Sequence, residues 1–335
     1  MTSIKEQVTV EQIQIGIVGL GLMGCSIVVS LLKAGHPVVA IAPVKGEEIT
    51  AAKRIYEHLE YAKYDGLLDA SIDSYLGKLM ISTDYNTLGK CALVVECVIE
   101  REDIKQIVYD KVASIVAKDT IIASNTSAIP ISRLQQYIAV PERFLGVHWA
   151  EPAYTTRFLE ITCGQKTSLA VAEWVYQLAG SWDKEPTLLQ KDIRGFITNR
   201  LMYAVYREAL HLVATDATCF EDADKAFRYD LGSWITLMGL FRRMDFLGLQ
   251  DYALIFEQLF PLLYNGEEVP GVMERMVDLG AKGVQNLRGF YSYDESQAKA
   301  WIKAFHAFNQ TIYQQAAQYP ESRLEHVLAS NTYDG

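Results

Sequence analysis

A doubly wound, mostly parallel α/β sheet followed by a smaller all-α domain is the fold class this sequence predicts, and three observations predict it. Residues 13–24, IQIGIVGLGLMG, run an apolar β-type stretch into three glycines and straight on into a helical pattern. Short apolar runs then alternate with helical periodicity as far as about residue 190, the pattern of right-handed βαβ crossovers. From Gly195 onward the periodicity is almost all helical. The domain boundary is therefore expected between residues 193 and 194, with 1–193 forming the sheet domain and 194–335 the helical one.

Each glycine of the first stretch has a mechanical task. Gly19 makes a tight turn. Gly21 has no Cβ, so a pyrophosphate can approach the backbone, and Gly24 lets the helix pack closely on the strand. The helix opens with Leu22 and Met23, whose N–H groups and positive dipole end face such a ligand. Strand, glycine turn and helix in that order are the context a Rossmann-type dinucleotide site requires. Gly35 caps the helix, and residues 37–42 are a second buried strand. Residues 46–78 read as helix, break at Gly66, helix, and 79–82 as a third strand. Residues 92–99 form a fourth strand, apolar but for Glu96, and 102–117 a helix. Strands follow at 120–124 and 143–148. A strand at 158–163, a helix at 168–180 and a strand at 186–190 extend the sheet, with room for an antiparallel addition. In the helical domain Ile197, Leu201, Val205 and Leu210 make one stripe, and Leu247, Tyr252, Ile255, Phe256 and Leu259 another. A last helix, about 295–318, precedes a polar tail.

Composition narrows the function classes. The chain has 335 residues, enough for two domains, and a formal net charge of -10, which argues against a nucleic-acid or anionic-membrane partner. Its five cysteines are odd in number and scattered, without zinc-type spacing, so reduced thiols and no metal site are expected. The first residues lack the apolar core of a signal peptide, and no run approaches the roughly 20 apolar residues of a membrane span. A cytoplasmic protein with a small-molecule partner is the expectation.

In an open parallel sheet, ligands bind beyond the carboxyl ends of the strands. The polar residues at those ends are Glu100, the cluster Ser124-Asn125-Thr126-Ser127, and His148. Imidazole titrates near neutral pH, so His148 is the natural acid/base. Glu160 sits amid Phe158, Leu159 and Ile161, and a carboxylate buried there needs a partner, for which His148 is the best candidate. The serine cluster is either a helix cap before Pro130 or a source of a substrate-facing hydroxyl. Asn199 either caps a helix or holds a carbonyl oxygen.

These motifs jointly resemble the L-3-hydroxyacyl-CoA dehydrogenase family, with its 6-phosphogluconate dehydrogenase-like C-terminal domain. The resemblance runs from residue 13 to about 293. It rests on Gly19 to Gly24, Glu96 with Glu100 and Lys105, Ser124 to Ser127, Gly146-Val147-His148 with Pro152, Phe158-Leu159-Glu160, Gly195 to Arg200, Met238-Gly239, Asp245 to Leu249, and Gly289-Phe290-Tyr291. It implies reversible NAD-dependent oxidation of a 3-hydroxyacyl-CoA to the 3-keto compound, in fatty acid metabolism, by a homodimer formed through the helical domain. By position His148 matches the catalytic base, Glu160 its carboxylate partner, and Ser127 and Asn199 the substrate-contacting pair. Glu100, Lys105 and Asn125 fall with the cofactor-side positions.

Four positions depart from the family. Ala42-Pro43 replaces the acid that usually takes the ribose hydroxyls, and Lys45 stands nearby, which leaves room for NADP. Glu151 replaces an asparagine beside His148 and, if close, should raise the pKa of the imidazole. His58 and Asp65 occupy places where serine and lysine contact CoA. Arg194 and Leu240 replace prolines. Two alternatives follow: a dehydrogenase of a free hydroxy acid of carnitine or gulonate type, or a nucleotide-binding protein without turnover.

Overall fold

The computed structural model describes residues 9–316. The chain separates into two compact units, 1–200 and 201–335. The expected polar tail and the opening residues 1–8 lie outside the described part.

The first unit is built on one sheet. β1 (Ile15–Val18) is followed by α1 (Leu22–Lys33), β2 (Val38–Ile41), α2 (Glu47–Tyr64), α3 (Ile72–Leu76) and β3 (Leu79–Ser82). Then come β4 (Leu93–Glu96), α4 (Glu102–Ala113), β5 (Ile121–Ser124), α5 (Ile131–Leu134) and β6 (Phe144–Trp149). β7 (Phe158–Cys163), α6 (Leu169–Gly180) and β8 (Glu185–Leu189) close the unit. The strand order is β3-β2-β1-β4-β5-β6-β7-β8, parallel through β6, with β7 antiparallel to β6 and β8 parallel to β7. The order reverses between β1 and β4, the switch point where doubly wound sheets bind ligands.

β1, β2, β4 and β5 are buried along their whole length, as parallel strands covered on both faces must be. One core lies under α1, α2 and α6 and includes Ile15, Ile17, Leu31, Ile55, Trp149 and Val175. The other lies under α4 and α5 and includes Val18, Val94, Tyr109, Leu134, Phe144 and Phe196. Because side chains alternate, His148 belongs to the second face and Trp149 to the first. α1 is apolar on nearly every side and buried from Gly24 to Leu32. α2 buries only the stripe Ala51, Ile55, Leu59 and Ala62. Gly35, at φ +100°, takes the left-handed position after α1.

Two element ends fall short of expectation. The fourth strand stops at Glu96, where Val98 N turns to donate to the Glu96 carboxylate at 2.7 Å. The helix after it ends at Ala113, with Ser114 as its C-cap.

Described by itself, the second unit is helical: α7 (Thr198–Ala214), α8 (Phe220–Ala226), α9 (Gly232–Met238), α10 (Leu240–Leu247), α11 (Leu249–Leu259), α12 (Gly271–Asp278) and α13 (Glu295–Ala316). The two predicted apolar stripes are not buried here. Leu201 is 50% exposed, Ile255 50% and Leu247 56%.

Candidate active site

The glycine turn stands at the β1/β4 switch point. Gly19 has φ +100°, and a Cβ there would come within 2.8 Å of the Cys97–Val98 backbone. A Cβ on Gly24 would fall 1.9 Å from Gly19 O. A Cβ on Gly21 would meet nothing within 4 Å. Two glycines are thus needed for packing, while the third faces open space, as the approach of a ligand to the backbone demands. Leu22 is 65% exposed at the first position of α1. The twelve-residue helix presents unpaired N–H groups of Leu22 and Met23 beside Gly21, a fit for a dinucleotide pyrophosphate.

At the other end of the crevice, β6 and β7 run antiparallel with His148 directly opposite Glu160. His148 Nδ1 donates to Glu160 Oε2 at 3.4 Å, and that carboxylate is fully buried. Glu160 Oε1 accepts from Ile197 N at 2.7 Å. Both carboxylate oxygens are engaged, which pins the ring and leaves His148 Nε2 free to exchange a proton. Phe158 and Phe196 flank the imidazole, with ring centroids 5.9 and 5.8 Å away. Phe196 is fully enclosed and held at φ +53°, which is strained for a side chain of its size. The segment around it is tied down at both ends. Asp192 accepts from Ser132 N at 2.6 Å, and Asn199 Nδ2 donates to Ser127 O at 3.4 Å.

The Ser124–Ser127 cluster does not cap a helix. Its anchor is Glu100, whose Oε1 accepts from Ser127 N and Ala128 N, both at 3.1 Å, and from the Thr126 hydroxyl. α5 starts later, with Pro130 at its N-cap. Burial pushes the Glu100 carboxyl up, but the Thr126 hydrogen bond and the Lys105 charge outweigh this and hold it below the usual carboxylate range. Asn125 Oδ1 accepts from Trp149 N at 3.0 Å and ties the end of β5 to the residue after His148. Ser127 remains exposed at the crevice. Lys105 is 1% exposed and bonds Glu96.

The departures resolve in part. Glu151 interacts with Ser26 on α1, and its carboxylate is not a hydrogen-bond partner of His148. Burial raises the pKa of Glu151 itself. His58 Nδ1 lies 3.3 Å from the Tyr154 hydroxyl, with the rings 5.2 Å apart, so His58 is engaged with the β6–β7 connection. Tyr154 is 6% exposed, and burial pushes its hydroxyl up to about 12. Ala42 is buried at the end of β2, and Lys45 is exposed. Among the described residues no group of three or more potential ligands is arranged for a metal ion, and no helix is long and apolar enough to cross a membrane.

Sequence reasoning did not find Phe196, Thr126 or the partners of Lys105. One signal was present: Glu96 is a lone acid in an apolar strand, and an ammonium nine residues on was its obvious partner.

Comparison with known proteins matches the chain in two successive segments. The family profile described as 3-hydroxyacyl-CoA dehydrogenase, NAD binding domain, matches residues 14–193, and its C-terminal-domain counterpart matches 195–293. A 5-formyl-3-hydroxy-2-methylpyridine 4-carboxylate 5-dehydrogenase of Mesorhizobium japonicum is 31% identical over 289 residues, 85% of this chain and 92% of that protein. A 3-hydroxybutyryl-CoA dehydrogenase of Mycobacterium tuberculosis is 30% identical over 283 residues, 84% and 98% of the two chains. Among solved structures, the pyridine-carboxylate 5-dehydrogenase, described as an NAD+-dependent dismutase, superposes with a TM-score of 0.82 at 28% identity, covering 91% of this chain and 98% of that one. An (S)-3-hydroxybutyryl-CoA dehydrogenase from Ralstonia eutropha gives 0.70 at 26%, covering 84% and 99%.

Proposed function

The chain belongs to the 3-hydroxyacyl-CoA dehydrogenase family, and on that premise we propose that it is an NAD-dependent oxidoreductase acting on the CH–OH carbon of a 3-hydroxyacyl substrate. The observation that carries this reading is the His148–Glu160 pair at the carboxyl end of β6, supported by the hydrogen bond that joins Asn199 to Ser127. Gly19, Gly21, Gly24 and the N–H groups of Leu22 and Met23 hold the pyrophosphate. When bound, the cofactor supplies the hydride acceptor, and the protein supplies position and proton transfer. His148 Nε2 takes the hydroxyl proton as the carbon is oxidised, and returns it in the reverse direction. Glu160 keeps Nδ1–H fixed and offsets the charge of the imidazolium. Ser127 and Asn199 hold the substrate oxygen. Phe158 and Phe196 keep water from the ring edges. The missing acid at Ala42 extends the proposal to NADP, with Lys45 as the cation for a 2′-phosphate. The exposed apolar faces of α7, α10 and α11 support a homodimer through the helical unit.

A second reading keeps the reaction and replaces the CoA thioester with a free, compact carboxylate. The engagement of His58 with Tyr154 and the acid at Asp65 favour it, as does the closer superposition on a dehydrogenase of a free pyridine carboxylate. Loss of reduced-cofactor absorbance with acetoacetyl-CoA, in parallel with NADH and NADPH, tests the first reading. Turnover only with free hydroxy acids, carnitine or pyridine aldehydes would move the assignment to the second. Cofactor binding with no turnover of any of these would sink both.

A further inference from the structure

The family resemblance groups Lys105 with the cofactor-side residues, but its surroundings in this chain leave it nothing to give a cofactor. Its ammonium lies 2.8 Å from Glu96 Oε1, 3.0 Å from Glu96 Oε2 and 3.3 Å from Glu100 Oε2. Three donors thus face three carboxylate oxygens. The stem sits on the buried side of α4 with Val108, Tyr109 and Val112. Glu96 is likewise saturated, accepting from Tyr109 OH and Ser124 Oγ, both at 2.8 Å, and from Val98 N. Two carboxylates and one ammonium leave the trio with one net negative charge.

Glu100 is the member of the trio that reaches the surface, with a side chain 37% exposed. It stands four residues beyond the end of β4, where no sheet hydrogen bond holds it. One oxygen faces Lys105 and the other gathers Ser127 N, Ala128 N and the Thr126 hydroxyl. A half-exposed glutamate on a loop has many rotamers, and the lysine on its inner oxygen selects the one that reaches the serine loop.

We propose that Lys105 is a positioning residue: through Glu100 it sets the backbone of Ser127 at the substrate crevice, and it does not contact the cofactor. This rests on the reading of Ser127 as a substrate-contacting group. The chain of contacts runs from a rigid helix, through one carboxylate, to the peptide that carries the hydroxyl. Asn199 grips the carbonyl of the same residue from the other side. Ser127 is therefore held at both its N–H and its C=O, and Lys105 supplies the stiffness of the first hold.

The test uses the full chain and pairs NADH fluorescence titration with steady-state kinetics on a substrate the wild type turns over. Lys105→Met combined with Glu96→Gln removes the ammonium without stranding a buried charge, and Glu100→Gln leaves the buried pair intact. In both, kcat should fall by about tenfold or more while the NADH Kd stays within about threefold of wild type. Adding Ser127→Ala to either should cost no more than about twofold further, although Ser127→Ala alone costs about tenfold, because groups acting through one another are not additive. A tenfold weaker NADH Kd at retained kcat would make Lys105 a cofactor ligand and overturn the proposal. A full Ser127→Ala penalty in the variant backgrounds would overturn it as well. Should the double variant not fold, Glu100→Gln and Thr126→Val carry the same cycle. Absence of turnover in the wild type is a failure of the functional reading alone. The NADH titration then still decides whether Lys105 touches the cofactor.

Discussion

The two ends of the crevice are made of different materials. Around Gly19–Gly24 the binding surface is backbone: a turn at φ +100°, a packing contact that admits no Cβ, and the open start of a helix. Six consecutive residues contain all of it. From the end of β4 across to His148 the surface is side chain: Glu96, Glu100 and Lys105 form one cluster and His148 with Glu160 another, each buried or half-buried and each paired. Those groups come from β4, the connection after it, α4, β6 and β7, and the loop that Glu100 holds follows β5. A backbone site fails when an atom is added, since only glycine fits its geometry. A site of buried ions fails when an atom is removed, since each charge taken from water depends on its partner.

That contrast can be broken or sharpened by experiment. His148→Gln should lower kcat by about 10³-fold or more and leave the NADH Kd within about threefold, because the pyrophosphate end is built separately. Retained turnover would remove His148 from the mechanism. Glu160→Gln should follow, with kcat down by about 10²-fold or more, since the amide no longer stabilises the imidazolium although it can still accept from Ile197 N. An unchanged kcat would show the ring to be oriented without the carboxylate.

At the glycine end the expected effects are on stability and binding. Gly24→Ala drives a Cβ into Gly19 O and should cost about 1–3 kcal/mol in denaturant unfolding. Gly21→Ala meets no atom, so its unfolding midpoint should stay near wild type while NADH binding weakens. Equal losses of stability in the two variants would contradict the division of tasks between them.

The smallest effect concerns a buried histidine remote from both ends. Burial lowers the pKa of His36, whose Nε2 accepts from Trp182 Nε1 at 2.8 Å while Nδ1 donates to Ile13 O. The unfolded chain therefore binds the proton first. Stability should be level above the ordinary imidazole value of about 6.5 and decline as pH falls below it toward the folded pKa. Denaturant midpoints at neutral and mildly acidic pH measure this slope, to which His58, also lowered by burial, contributes. His36→Gln should flatten it, and an undiminished slope would assign it to other groups.

The contact between His148 and Glu160 was legible because an acid in an apolar strand, shortly after a histidine at a strand end, leaves few other partners. Phe196 was not legible. Its sequence neighbours suggest only the start of a helix, and neither the left-handed φ nor the approach of its ring to the imidazole is written in them. The partner of Glu151 was not legible for a related reason. Three residues from His148 in sequence, Glu151 interacts with Ser26 on α1. The apolar stripes of the helical unit showed their periodicity correctly, but periodicity does not say whether the covering surface belongs to the same chain.

Local pattern alone determined the glycine turn, the alternation of strands and helices, the change to helical periodicity after Gly195 and the identity of the buried acids. These follow from residue-level physics: which backbone conformations glycine permits, which period buries an apolar face, and which charges cannot stand alone. The tertiary structure decided which partner each charge took. Lys105 lies nearer Glu96 than Glu100, Glu100 holds the serine loop, and His58 packs on Tyr154. Pairing energies depend on distance and burial, which arise only when strands far apart in sequence are brought side by side.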